Sequence, residues 1–304
     1  MTVMRHPGDD RIRSLTAKNG VRQIALSEPA PHGRLGGSVV KPYVFGMPVY
    51  FQMWILAAAL GIGEGVRLLR QAGLNTKRAL LGMTSVAVIV LIGSKLLFSL
   101  EHVLLPYDAP VLMPQGTTAE LARHGFRIPG GIALMGILAP LVCRALRLPT
   151  ARFVDAVMPA IGLGIVFIRI GCFLQGCCFG ARTDGPFGLA FPRGALVYEY
   201  QLLDHQIGWN ATAALPVYPL QLCFAGLGFL MYVLGRYWQR NKEFDGEVWA
   251  KEFLLFFGGT FLLEFVRAVT LRLNLILTAT VFVIAAVSVV RARQATRVLQ
   301  PLRS

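Results

Sequence analysis

Apolar residues fall in long runs along most of this chain, separated by short polar or basic connections. Seven runs reach or approach the ~20 residues a helix needs to cross hydrocarbon, at approximately 45–68, 80–105, 130–147, 154–174, 218–236, 253–271 and 274–290. The pattern predicts an all-α, polytopic transmembrane helix bundle of about seven spans. Residues 1–42 lack such a run and read as a polar, basic, disordered tail; 43–290 read as the transmembrane domain and 291–304 as a second basic tail. The stretch 176–216, between spans four and five, is polar and aromatic and too long to be an idle connection. It reads as an external arm or head on the membrane surface.

Composition supports a membrane setting. Charged residues make up 15% of the chain, against about a quarter in a soluble domain. The formal net charge of +14 invites a nucleic-acid reading, but no binding motif accompanies it and most of the charge lies between apolar runs. Basic residues concentrate after spans one, three and five and in the C-terminal tail (Arg67, Arg78, Arg147, Arg240 and Arg291 among them) and are sparse elsewhere between spans. Cytoplasmic connections carry such an excess, so the C-terminus is expected in the cytoplasm and, with seven spans, the N-terminus outside. The basic tail, with Arg5, Arg11 and Arg13, runs against that rule.

Polar groups inside the apolar runs carry the candidate chemistry. Arg169 lies about 22 Å along a helix from Val154 at ~1.5 Å per residue, in the outer half of the bilayer. Lys95, Gln221, Glu264 and Arg267 fall at similar depth. Glu264 and Arg267, three apart, are expected to share one helix face and to pair there. Lys95 and Arg169 remain as a positive excess, which at a lipid surface calls for an anion such as a phosphate. Arginine suits that ligand through its planar fork. Asp155 reads as a charge favoured by the dipole at the start of span four.

Cys172, Cys177 and Cys178 follow Arg169 closely. They read as inert buried thiols, as a disulfide between Cys172 and Cys177, or as reactive thiols in transfer or redox chemistry. No histidine lies nearby in sequence, and neighbouring cysteines are poorly placed to share one ion, so no metal is expected. His102 and His124 fall at the depth of Arg169 but read as interfacial residues.

The segment Ile168 to Gly180 resembles the signature of bacterial prolipoprotein diacylglyceryl transferases, approximately G-R-x-G-N-F-x-N-x-E-x-x-G. Arg169, Gly171, Phe173 and Gly180 match it, whereas Cys172 and Cys177 stand where the family has Asn and Glu. The run Asp155 to Gly164, Phe191-Pro192, the segment Tyr218 to Leu222, Phe261 to Arg267, Gly93 to Lys95 and the pair Gly130-Gly131 are similar to further family segments. Pro129 replaces a His or Tyr, Thr260 an arginine, and the usual Tyr of span one falls near Gln52. The chain therefore looks like a divergent, thiol-rich branch.

The resemblance implies a multi-pass enzyme of the bacterial cytoplasmic (inner) membrane that needs no cofactor. Such an enzyme moves a diacylglyceryl group from phosphatidylglycerol to a lipobox cysteine of a secreted preprotein. Arg169 and Glu264 are then the catalytic candidates. Lys95, Arg267, Gln221, Gly130, Gly131, Gly171 and Cys172 are candidates for substrate binding, and Cys177 and Cys178 for reactive thiols. The alternatives are the same scaffold with a different acceptor or thiol chemistry, and an inactive lipid-binding paralogue.

Overall fold

The computed structural model describes residues 43–44, 47–104 and 128–267, with isolated positions at 276, 279–280, 282–283 and 286–287. The two tails, His124 and more than half of the expected seventh span lie outside the described residues.

A two-residue antiparallel pair, β1 (Tyr43–Val44) with β2 (Met47–Pro48), leads into seven described helices: α1 (Val49–Gln71), α2 (Thr76–Leu104), α3 (Ile128–Ala145), α4 (Thr150–Gln175), α5 (Leu196–Leu203), α6 (Leu220–Arg240) and α7 (Glu247–Glu264). Among the described residues, four helical segments are long and apolar enough to span a bilayer: α1, Thr76–Leu100 of α2, α4 and α6. A shorter apolar stretch, Gly130–Ala145, makes up most of α3. Large apolar side chains such as Leu91, Ile92, Leu96, Ile137 and Phe229 are exposed around the bundle. Water would make such a surface costly; lipid is its natural solvent. The protein is a multi-pass, all-helical membrane protein.

Helix α4 is the central element and packs along both α1 and α6, while α2 and α3 form a second tightly packed pair. That pair depends on glycine. A Cβ on Gly93 would fall 2.5 Å from the Gly130 carbonyl oxygen, and one on Gly131 would strike Ser94 Oγ. The two groups of helices meet in an apolar cluster of Leu69, Ala79, Cys143, Leu148, Phe153 and Ala156, at the end of the bundle where α1 and α3 finish and α2 and α4 begin.

The same end gathers the basic connections. Arg236 donates to Gln71 (3.2 Å), Gln239 donates to the Asp155 carbonyl (2.8 Å) and Lys242 to the Asp155 carboxylate (3.1 Å). Asp155 does not act on its own helix, as the sequence suggests. Its buried carboxylate accepts the backbone N–H groups of Gly246 (2.8 Å) and Trp249 (3.0 Å), so it caps the start of α7. Gly246 enters α7 at φ 98°. This cap starts α7 six residues before the expected span six, at Glu247 rather than 253.

Residues 176–219 are folded rather than extended. Phe191, Val197, Tyr198, Leu202, Ala214 and Val217 form a small core around α5. The buried Gln201 clamps Leu215 through both its amide oxygen (2.6 Å) and its nitrogen (3.1 Å).

Candidate functional site

The last two turns of α4 carry Arg169, Gly171 and Cys172, and the helix then stops abruptly. Gly176 adopts φ 72°, a left-handed cap that glycine takes without the Cβ clash other residues meet. Gly176 N–H donates to the Phe173 carbonyl (3.1 Å) and Cys177 N–H to that of Cys172 (3.0 Å). Cys178 follows at φ 56°, again left-handed although it is not glycine. Beyond it the chain is stitched between two other segments. Gly180 N–H donates to Tyr218 (2.9 Å) and Ala181 N–H to Val266 (2.8 Å), while Tyr218 N–H donates back to Ala181 (3.0 Å).

That stitching brings the ends of α4 and α7 and the start of α6 together. Phe224, buried on α6, is the shared floor: the guanidinium carbon of Arg169 lies 4.4 Å from its ring centroid and that of Arg267 5.8 Å. Arg267 also pairs with buried Glu264 at 2.9 Å. The pair forms as the spacing suggests, but not on one helix. Helix α7 ends at Glu264 and Arg267 lies past a turn, bridged to Gly180; the last four residues of the expected span to 271 lie outside the described residues. Gln221, fully buried one turn before Phe224, donates to the Cys177 carbonyl at 2.6 Å. Its Oε1 is buried without a hydrogen-bond partner, as is Thr260 Oγ1. Two cations, one carboxylate and the orphaned Gln221 oxygen thus gather around Phe224 where apolar helices end. An anion with hydroxyl or ester oxygens matches that set.

Arg169, Arg267, Glu264, Gln221 and the three cysteines form one group. Gly171 serves it by packing, since a Cβ there would lie 2.9 Å from Met53 Cβ on α1. Lys95, Gly130 and Gly131 belong to the neighbouring α2–α3 pair. The Lys95 ammonium lies 5.1 Å from the Phe98 ring of its own helix, and the two glycines are required for contact with α2. Tyr50 joins the site although the family resemblance points to Gln52: it lies two residues earlier, stacks edge-on with Trp54 and sits within electrostatic range of all three site thiols. An aromatic two positions from the expected register was the available signal.

The thiols are unbonded to one another as disulfides, and the Sγ atoms of Cys172, Cys177 and Cys178 all lie within 4.8 Å of each other. The left-handed turn at Cys178 lets adjacent cysteines reach one centre, which the spacing argument had discounted. Hydrogen bonding with Cys172 and Cys177 favours the Cys178 thiolate; burial opposes it, and Arg169 and Arg267 favour it further.

The sequence model of the family described as prolipoprotein diacylglyceryl transferase matches residues 42–291. The phosphatidylglycerol–prolipoprotein diacylglyceryl transferase of Clostridium tetani is 27% identical over 229 residues, covering 74% of this chain and 83% of that protein. The enzyme named as transferase 2 of Clostridium perfringens is 26% identical over 233 residues, covering 75% and 83%. The Rhodopirellula baltica relative is 26% identical over 213 residues, covering 66% of this chain and 42% of its own greater length.

Proposed function

The chain belongs to the prolipoprotein diacylglyceryl transferase family, and from that premise we propose that it moves a diacylglyceryl group from phosphatidylglycerol to the lipobox cysteine of a secreted preprotein. The relatives' names state that reaction class. The observation that carries the proposal here is the pair of guanidinium groups over Phe224, one turn from the orphaned Gln221 oxygen, at the end of the bundle away from the basic connections.

The chemistry follows from that arrangement. The acceptor thiolate attacks the glycerol carbon that bears the phosphate ester. A C–S bond forms, the C–O bond breaks, and glycerol phosphate leaves with the bonding electrons. Charge grows on the departing phosphate oxygen, so cations held in place beforehand stabilise the transition state more than the resting lipid. Arg169 grips the phosphate, Arg267 assists, and Glu264 fixes Arg267 so that its fork does not have to reorganise. Gln221 and Thr260 offer hydrogen bonds to headgroup oxygens. Lipid tails lie along the apolar faces of α2 and α4, where Leu96 and Ile161 are exposed.

The basic end of the bundle faces the cytoplasm and the Arg169 end the external leaflet, with seven spans in all and the head at 176–219 outside. That places the site in the bacterial cytoplasmic membrane where an exported preprotein emerges. A second reading, a different acceptor on the same scaffold, is favoured by the three thiols at the signature. Complementation of a strain depleted of its own diacylglyceryl transferase separates the two. Restored growth with lipid-modified preprotein supports the proposal. Stable expression without any modified preprotein refutes it.

A further inference from the structure

We propose that Cys172, Cys177 and Cys178 form a binding site for a divalent cation of the zinc class, whose open fourth position takes the acceptor's cysteine as a thiolate. The metal site stands on geometry alone; its use in transfer rests on the transferase reading.

Three features of the chain build the site. The left-handed cap at Gly176 folds Cys177 back against Cys172, and φ 56° at Cys178 turns a second consecutive thiol to the same centre. An L-residue in that conformation costs roughly 1–2 kcal/mol, which the loop sustains through its hydrogen bonds to Tyr218 and Val266. The Gln221 amide holds the Cys177 carbonyl at 2.6 Å and so fixes the loop from the α6 side.

The spacing suits the ion. Ligand sulfurs about 2.3 Å from zinc stand roughly 3.8 Å apart in a tetrahedron. The present Sγ atoms, all within 4.8 Å, reach that spacing with side-chain shifts of under about 1 Å. The charge also suits it. Three thiolates and one divalent ion carry a single net negative charge, and the Arg169 and Arg267 guanidinium groups are gathered over Phe224 at the same end of the bundle. Thiolate ligands select soft or borderline ions over magnesium or calcium.

A three-ligand zinc site with one open position is the form used for catalysis. The described site otherwise holds one carboxylate, Glu264, which is engaged with Arg267. Coordination supplies what the side chains do not: the incoming thiol gives its proton to solvent as it binds, and the bound thiolate is the nucleophile at neutral pH. After the C–S bond forms and glycerol phosphate departs, the neutral thioether is a weak ligand and leaves the ion. No electron transfer is involved.

The test uses the full-length protein, purified in detergent under reducing conditions and titrated with cobalt(II), with zinc content measured in parallel. Expected are one ion per chain and a sulfur-to-cobalt charge-transfer band. Cys178→Ser should weaken binding at least tenfold while the thermal midpoint stays near wild type. A lipobox peptide should intensify the band, and its Cys→Ser counterpart should not. The metal site is overturned if fully reduced protein gives no such band, or if Cys178→Ser binds as well as wild type. Metal activation alone is overturned if the peptide leaves the spectrum unchanged, or if a Cys177→Ser/Cys178→Ser protein that binds no metal transfers lipid at the wild-type rate; the transferase proposal survives both. Stoichiometric metal and a peptide-dependent band without any lipid transfer would instead uphold the site and reject the transferase proposal.

Discussion

Arg169 and Arg267 share one aromatic face, their guanidinium carbons standing 4.4 and 5.8 Å from the centroid of Phe224. They stand 98 residues apart in the sequence and meet because the loop after α4 is bridged to the segment after α7. The ring holds two like charges near one another in an apolar setting, and each cation–π contact contributes about 0.5–2 kcal/mol. Phe224→Leu is therefore expected to lower transfer about tenfold with the fold intact, and Phe224→Tyr to retain most of it. Initial rates on phosphatidylglycerol vesicles measure both.

Glu264 should act as a positioning residue. Its Oε1 lies 2.9 Å from Arg267 Nη2, and a neutral amide keeps the shape but loses the charge. Glu264→Gln is expected to lower kcat by roughly tenfold or more and to change KM for lipid little, since the fixed fork matters most as charge builds in the transition state. A merely structural role would show as loss of folded protein instead.

The α2–α3 contact offers a stability test. Gly93 and Gly130 touch backbone to backbone, so Gly130→Val must push the helices apart. Overpacking of this kind costs about 1–3 kcal/mol. The expected result is a lower thermal midpoint in detergent.

Much of this was legible in the sequence, for physical reasons. Hydropathy located α1, α2, α3, α4 and α6 because each buries or exposes a continuous apolar surface, and Arg169 stood out because a charge near the end of such a run is costly. What the sequence concealed was tertiary. The start of α7 is set by Asp155, some ninety residues away in the chain, and its end by the bridge from Arg267 to Gly180. Hydropathy registers neither. The convergence of adjacent Cys177 and Cys178 depends on one backbone angle that no residue pattern announces. Tyr50 was passed over because motif register was followed where helix packing decides which side chain faces the site.

The basic end of the bundle has a pH signature. Hydrogen bonding from Lys242 holds the Asp245 carboxyl below its ordinary value, with burial opposing and Arg152 assisting. Its contribution to stability is thus fully present above the unfolded value of ~3.9 and is lost as pH falls through the lower folded value. The thermal midpoints of wild type and Asp245→Asn should differ by a constant amount from pH 7 to about 5 and converge in stronger acid. A gap that closes above pH 5 would contradict the assignment.

In the proposed transfer, the Arg169 guanidinium binds the donor phosphate as it leaves. The most direct measurement is transfer of a labelled diacylglyceryl group from phosphatidylglycerol to a lipobox peptide in proteoliposomes, comparing wild type, Arg169→Lys and Arg169→Ala at matched folded protein. Loss of one such contact should cost on the order of 10²–10³-fold for the alanine variant. Lysine should fall between, because it keeps the charge but not the fork. Transfer by Arg169→Ala at the wild-type rate would contradict the account.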